Sequence, residues 1–110
     1  MTTVHIEHAV KDFAAWKAVF DRYPDMRAGH HVRRYDISRP VDDPKFVMIR
    51  LDFDARAEAE AFVSTMRGLW TSAQAASVLA GPPQARITET VEEASYDVGP
   101  ARFDTSATQR

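Results

Sequence analysis

The sequence contains no cysteine among its 110 residues. Disulfide bonds, thiolate catalysis and cysteine-ligated metal centres are therefore excluded, and a chain without cysteine is typical of a reducing compartment. No uninterrupted apolar run reaches the roughly 18 residues that a membrane-spanning helix needs. The first residues pass directly into a strand pattern and have no signal-peptide character. We therefore expect a cytoplasmic protein that does not associate with membranes.

The sequence also lacks a strong charge of either sign. Its formal net charge is −2 at pH 7, which argues against nucleic acid or an anionic membrane as the main partner. Three arginines cluster at Arg33, Arg34 and Arg39, and they suit either a small anionic ligand or a charged, solvated edge strand. A nucleophilic-serine elbow, a phosphate loop and a dinucleotide-binding fingerprint are all missing from the sequence. These absences remove several large enzyme classes from consideration.

The residues that are present form patterns of period two and of helical period. Hydrophobic residues make up 45% of the chain and charged residues 27%, as in an ordinary globular protein. The period-two patterns predict four strands, at residues 3–9, 31–39, 45–53 and 84–92. Helical spacing and capping residues predict three helices, which begin after Asp12, after Asp54 and after Thr71 or Ser72.

Breaker residues set the helix ends in this prediction. Pro24 and Gly29 are expected to end the first helix and open a loop, and Gly68 is expected to end the second helix. The resulting order, βαββαβ, is that of a ferredoxin-like α+β fold, with a four-stranded antiparallel sheet and helices on one face. We assign residues 1–93 to this domain and residues 94–110 to a flexible C-terminal tail.

One face of the sheet has no intramolecular cover in such a fold. Phe46, Met48, Ile87 and Val91 are candidates for an apolar patch on that face. A second copy of the chain would cover the patch, and a two-fold dimer is the commonest arrangement that does so. The sequence therefore predicts a homodimer.

Four sequence features resemble those of a known superfamily. They are Asp-Phe-x-x-Trp at 12–16, "RPVDDPKFVMIRLDF" at 39–53, "AEAEAF" at 57–62 and "GPP" at 81–83. Over residues 3–92 the chain resembles the dimeric α+β barrel superfamily. More narrowly, it resembles small proteins grouped with antibiotic-biosynthesis monooxygenases and polyketide cyclases. None of the four features is a catalytic signature, so the resemblance implies a fold more than a reaction.

The resemblance implies a dimeric barrel in which each protomer keeps a cleft between its sheet and its helices. Members of the superfamily include quinone-forming oxygenases that use neither metal nor flavin, aromatic-polyketide cyclases and heme-degrading enzymes. Heme-degrading members carry an asparagine on the first strand and a histidine ligand on a later helix. This chain has Glu7 on that strand and no histidine in residues 71–80, although Trp70 could match the tryptophan of those members. Heme degradation is therefore disfavoured, and no cofactor is expected.

His5 and Glu7 form the first candidate catalytic site. They stand two residues apart on one strand, so their side chains share a face. A neighbouring carboxylate can orient an imidazole as a general base, so we predict that His5 removes a proton from a phenolic or enolic substrate. The alternative is that both residues make structural hydrogen bonds at the dimer seam. His8 falls on the opposite, apolar face, but a register shift of one residue would exchange the roles of His5 and His8.

Arg50 is the third candidate catalytic residue. It lies in the most regular strand, on the face opposite that strand's apolar residues. A charge facing the interior of a dimer needs a partner. That partner is either a carboxylate of the chain, from Glu7, Glu89 or Asp52, or the anion formed from a substrate.

Four further residues are candidates for substrate binding: Trp70, Tyr35, Met66 and His31. Trp70 stands at a break between two helices, and with Met66 it suits the wall of a pocket for a flat ring. Tyr35 could donate a hydrogen bond to an oxyanion. His31 lies just before the second strand, where it could reach the mouth of a cleft.

A metal site is not predicted. His5, Glu7 and His31 are chemically able to bind zinc, iron or manganese, but their spacing matches no ligand motif. The sequence therefore favours a cofactor-independent monooxygenase or cyclase acting on an aromatic or polyketide-like substrate. The alternatives are a non-catalytic ligand-binding or stress-associated dimer and a purely structural interaction domain.

Overall fold

The computed structural model of the chain describes residues 1–97. In chain order its elements are β1 (Thr2–Ala9), α1 (Phe13–Phe20), α2 (Pro24–Gly29), β2 (Arg34–Ser38), β3 (Phe46–Phe53), α3 (Arg56–Trp70), α4 (Ala73–Ala76) and β4 (Gln84–Glu89). The strands and the three predicted helices occur in the predicted order, and the short helix α2 is an addition to them. The ferredoxin-like α+β fold is therefore confirmed.

The strands form one antiparallel sheet in the order β2-β3-β1-β4. In the central pair, β1 and β3, Val4 lies opposite Leu51 and Ile6 lies opposite Ile49. These four side chains are buried on the face that the helices cover. Because side chains alternate along a strand, this register also fixes which residues of β1 face the helices and which face away.

The hydrophobic core fills the space between this sheet face and the helices. Its side chains come mainly from the two central strands, α1 and α3, and the largest fully buried ones are Phe53, Phe62, Ile6 and Leu51. The Phe53 and Phe62 rings, from β3 and α3, pack with centroids 5.5 Å apart. Ring contacts of this kind add to the stabilisation from apolar burial.

The first helical region differs from its prediction at Pro24. As expected, Asp12 caps α1, and its Oδ2 accepts a hydrogen bond from the Ala15 N–H at 2.9 Å. Pro24 does not open a loop, however, because it occupies the first turn of α2. Proline fits there since the amide hydrogen that it lacks would have no helical partner in any case. This short helix ends just before His31, which has a φ of 65°.

The second helical region also departs from its predicted ends. Helix α3 begins after Ala55 rather than Asp54, and the Glu58 carboxylate accepts a hydrogen bond from the Ala55 N–H at 3.2 Å. The prediction that Gly68 ends this helix is wrong, because α3 continues to Trp70. Ser72 caps α4, as one of the two predicted caps, by accepting from the Ala75 N–H at 3.2 Å.

The uncovered face of the sheet is more polar than predicted. Phe46 and Met48 lie on it, whereas Ile87 pairs with Val4 and so belongs to the helix side. Val91 follows β4 and is 97% exposed. The apolar part of this face is therefore confined to one end.

The strands β2 and β4 are shorter than predicted. No helix within residues 1–97 has the length and apolar character needed to cross a membrane. Residues 90–97 have no regular secondary structure. The remainder of the predicted tail, residues 98–110, lies outside the described residues.

Candidate functional site

A cavity lies between the helix-covered face of the sheet and the helices. Its volume is about 80 Å³. Most of its lining is aromatic or aliphatic and includes Trp16, Phe20, Met26, Ile49, Phe62, Met66 and Trp70. The polar side chains that line it are His8, Tyr23, Arg27, Ser72 and Gln74. An apolar pocket with a few polar groups is the usual form of a small-molecule site.

His8 enters the cavity from β1. It is only 3% exposed, and its ring packs edge-on against Trp16 with centroids 5.6 Å apart. Its Nδ1 lies 3.4 Å from the Ala9 carbonyl oxygen. Since a carbonyl can only accept, this long contact favours the tautomer with the proton on Nδ1. The lone pair is then on Nε2, which has no hydrogen-bond partner among the described residues.

The environment of His8 keeps the imidazole neutral. Burial lowers its pKa below the ordinary value of 6.5, and the contact with the Ala9 carbonyl opposes this shift only in part. Removing the ring from water disfavours the charged form more than the neutral one. At neutral pH the His8 imidazole is therefore unprotonated and able to accept a proton.

Arg27 contributes the positive charge of the cavity. It lies on α2 and is only 8% exposed. Its Nη1 donates to the Phe20 carbonyl oxygen at 2.9 Å, and its guanidinium carbon lies 3.9 Å from the centroid of the Phe20 ring. The Tyr35 ring is 5.3 Å from the same carbon. Aromatic rings thus hold the guanidinium by cation–π contact.

A hydrogen bond joins two of the short helical segments beside the cavity. The Tyr23 hydroxyl, just before α2, donates to Oε1 of Gln74 in α4. Both side chains line the cavity. This bond connects residues that are 51 positions apart in the sequence and fixes one wall of the cavity.

The predicted catalytic residues lie on the other side of the sheet. His5, Glu7 and Arg50 belong to the uncovered face, and His5 lies directly opposite Arg50 in the strand register. His5 Nε2 is 3.1 Å from the Thr88 hydroxyl oxygen. Arg50 Nε is 3.6 Å from Asp52 Oδ1, and the Arg50 side chain is 47% exposed. Asp52 is one of the three carboxylates that the sequence offered as a partner for Arg50.

The predicted substrate-binding residues divide between the cavity and the surface. Met66 and Trp70 line the cavity. Tyr35 lies at its edge, because its ring packs against Phe20 and Arg27, which line it. His31 is exposed in the loop before β2 and is not part of the lining.

The sheet therefore separates Trp70 from His5, and the structure does not bring these two predicted site residues together. His8 is the histidine that shares the cavity with Trp70. As predicted, His5 and His8 lie on opposite faces of the sheet. The cavity, however, lies on the face of His8 and not on the face of His5. Within residues 1–97, no group of three histidine or acidic side chains is arranged to hold a metal ion.

Sequence reasoning did not identify Arg27, Tyr23 or Gln74 as site residues. Tyr23 was assigned to the end of the first predicted helix, and Arg27 follows Pro24 in a segment expected to be a loop. Recognising Pro24 as the first residue of a helix was the signal that could have placed Arg27 one turn later, beside Tyr23.

Comparison with known proteins identifies the fold. No family model and no curated protein matches the chain. Among solved structures, the chain is similar to SnoaB, a cofactor-independent oxygenase from Streptomyces nogalater, with a TM-score of 0.67 and 12% identity over 84% of this chain and 94% of that one. It is also similar to a provisionally named antibiotic biosynthesis monooxygenase from Nitrosomonas europaea, with a TM-score of 0.62 and 21% identity over 84% of this chain and 100% of that one.

A third similar structure is a dimeric ferredoxin-like protein from an uncultured marine organism. The TM-score is 0.59 and the identity 9%, over 84% of this chain and 97% of that one. The chain has the ferredoxin-like fold of antibiotic biosynthesis monooxygenase-like proteins. Identities this low establish a shared fold, and the reaction must be argued from the site.

Proposed function

We propose that the protein is a small-molecule enzyme of the cofactor-independent oxygenase or cyclase type, with an aromatic or polyketide-like substrate bound in the cavity. One observation carries this proposal: a buried, neutral His8 lines a cavity with several aromatic side chains, and its Nε2 has no hydrogen-bond partner among residues 1–97. The shared fold with SnoaB, which is a cofactor-independent oxygenase, supports the same class of chemistry.

In this proposal His8 acts as a general base. Its Nε2 takes a proton from a phenolic hydroxyl and leaves a phenolate, or from a CH2 group next to a carbonyl and leaves an enolate. With dioxygen as co-substrate, a CH2 group becomes a carbonyl: one oxygen atom enters the product, and the other leaves as water with the two hydrogens. Without dioxygen, the carbanion attacks a carbonyl of the same molecule and closes a ring.

The size of the cavity limits what fits without rearrangement. Its 80 Å³ is smaller than the roughly 150 Å³ of an apolar protein cavity that binds benzene. Even a ligand with a single ring therefore requires side chains to move. Met26 and Met66 suit this role because the thioether chain is unbranched and changes conformation easily.

We also propose that the chain forms a homodimer through the uncovered face of the sheet. Met48 is exposed on this face, and Phe46 is half-buried beside it. The similar structure from the marine organism is a dimeric ferredoxin-like protein, which supports the same assembly here.

The catalytic proposal is tested by the same substitution on the two faces of β1. We expect His8→Gln to lower oxygen-dependent turnover by about 10²–10⁴-fold, the usual contribution of a general base. His5→Gln makes the identical change on the uncovered face. Turnover is measured as oxygen consumption and product absorbance with a panel of enolisable aromatic ketones and hydroquinones, and circular dichroism checks the fold.

The pair of variants also separates the alternatives. Loss of turnover in His5→Gln with full activity in His8→Gln would assign the chemistry to His5, Glu7 and Arg50 and overturn the role of His8. Ligand binding without turnover of any compound in the panel would favour the non-catalytic binding protein.

A further inference from the structure

We propose that the cavity selects aromatic ligands that carry a carboxylate, and that Arg27 binds this group. The inference takes only the location of the ligand from the proposed function, and it names the substrate class of that site. It rests on the contacts of Arg27, on the absence of a carboxylate beside it, and on the neutral state of His8.

Arg27 is a buried charge that has no carboxylate partner among residues 1–97. It is only 8% exposed, and among residues 1–97 no carboxylate oxygen lies within 4.0 Å of its nitrogens. A buried charge without a partner is strongly unfavourable, so such a charge is normally paired. An anionic ligand in the cavity would supply the missing partner.

Other arginines of the chain show the usual arrangement. Arg33 lies 3.5 Å from Asp54, Arg34 lies 3.3 Å from Asp52, and both arginine side chains are well exposed. Among the arginines of residues 1–97, Arg27 is the one that is buried, and it has no acidic partner within that range. Packing alone does not require a guanidinium at this position, because an apolar side chain could fill the same space beside Phe20.

The contacts of the guanidinium leave it free to bind a carboxylate. The Phe20 and Tyr35 rings lie 3.9 and 5.3 Å from its central carbon, and the Phe20 carbonyl accepts from Nη1. Arginine has five N–H donors in the plane of its guanidinium. Within the part of the chain that the structure describes, only Nη1 has an acceptor, the Phe20 carbonyl oxygen. A carboxylate accepts two such donors side by side, which is the strongest and most specific pairing that arginine makes.

His8 does not supply the charge instead. Its imidazole is neutral at pH 7 because burial lowers its pKa. The two polar groups therefore have separate tasks, in which Arg27 fixes the anionic end of the ligand and His8 is left to act on another part of it.

The test compares two probes of the same shape, benzoate and benzamide, of which only benzoate is charged. Trp16 and Trp70 both line the cavity, so quenching of tryptophan fluorescence reports binding. We expect the wild-type protein to bind benzoate at least about tenfold more tightly than benzamide, as a charge-assisted pair predicts. Equal affinities, or no binding of benzoate, would overturn the proposal.

Substitution of Arg27 identifies the residue responsible. Arg27→Met should weaken benzoate binding by about tenfold or more and leave benzamide binding unchanged. Arg39→Met is the matched control, because Arg39 also stacks on a ring, 4.3 Å from the Phe13 centroid, but is exposed and does not line the cavity. A benzoate preference that survives in Arg27→Met would show that another group binds the anion.

Two further binding results separate the role of Arg27 from effects on folding and on catalysis. Arg27→Lys keeps the charge but loses the paired donors, so we expect an affinity for benzoate between those of the wild type and Arg27→Met. Because the measurement is of binding, a preference for benzoate in a protein without turnover would support this inference while contradicting the proposed function.

Discussion

A single residue, His8, links the stability of the fold to the proposed chemistry. Its side chain is buried among apolar residues of β1 and α1. Strands usually carry an aliphatic residue at such a buried position. Burial lowers the pKa of His8, so the folded protein holds the ring neutral at a pH where the unfolded chain begins to protonate it. The same environment that prepares Nε2 as a base therefore makes the fold sensitive to acid.

We predict that part of the stability of the protein is lost as the pH falls below about 6.5 and that His8 causes this part. The pKa of His8 is below 6.5 in the folded state. The unfolded state therefore binds the proton first, and the free energy of unfolding decreases as the pH falls from 6.5 toward the folded-state pKa. The slope is at most about 1.4 kcal/mol per pH unit for one proton.

Urea unfolding at pH 7.5, 6.5 and 5.5 measures this effect. The free energy of unfolding should fall more steeply with decreasing pH in the wild type than in His8→Gln, whose side chain does not titrate. Parallel curves for the two proteins would contradict the prediction.

Among the elements, the central strands were easiest to predict from the sequence and α2 was hardest. β3 has an apolar residue at every second position from Val47 to Phe53, so its bounds and faces were predicted almost completely. Helix α2 has only six residues, too few for a clear helical period, and its Pro24 reads equally as a stop or a start. Helix α2 carries Arg27, so missing this helix also meant missing Arg27 as a site residue.

The site itself could be predicted only in part, for a related reason. Strand alternation correctly separated His5 from His8, but it does not tell which face of the sheet has an enclosed cavity. That depends on how α1, α2 and α4 pack over the strands, which is a property of the tertiary structure. Met66 was predicted from the apolar side of the helix after Asp54, and Trp70 from its position at a break between two predicted helices.

Helix α3 yields a prediction at its Gly68. This glycine lies inside the helix, and a Cβ placed on it would have no neighbouring atom within 4 Å. We expect Gly68→Ala to raise the free energy of unfolding by about 0.5–1 kcal/mol, because glycine loses more backbone freedom than alanine on folding. Thermal and urea denaturation measure the change, and a decrease in stability would show that the last turn needs the glycine.

At the scale of the whole molecule, the uncovered face of the sheet is the surface through which we propose that the chain dimerises. We predict that sedimentation equilibrium gives twice the chain mass of 12.4 kDa. Met48→Glu should shift the equilibrium toward the monomer, because it adds a charge to this face directly opposite Glu7. Val41→Glu is the control, since Val41 is fully exposed in a turn away from the sheet. A dimer unaffected by Met48→Glu would mean that another surface forms the contact.

The alternation of β1 also bears on how such a chain can change through evolution. The residues at positions 5 and 7 belong to the uncovered face, and those at positions 6 and 8 belong to the helix side. Point mutations can therefore alter the assembly surface without touching the ligand cavity, and the reverse also holds. An insertion or deletion of one residue in this strand would exchange the two sets at once. Descendants of this protein should thus tolerate substitutions in β1 far better than changes in its length.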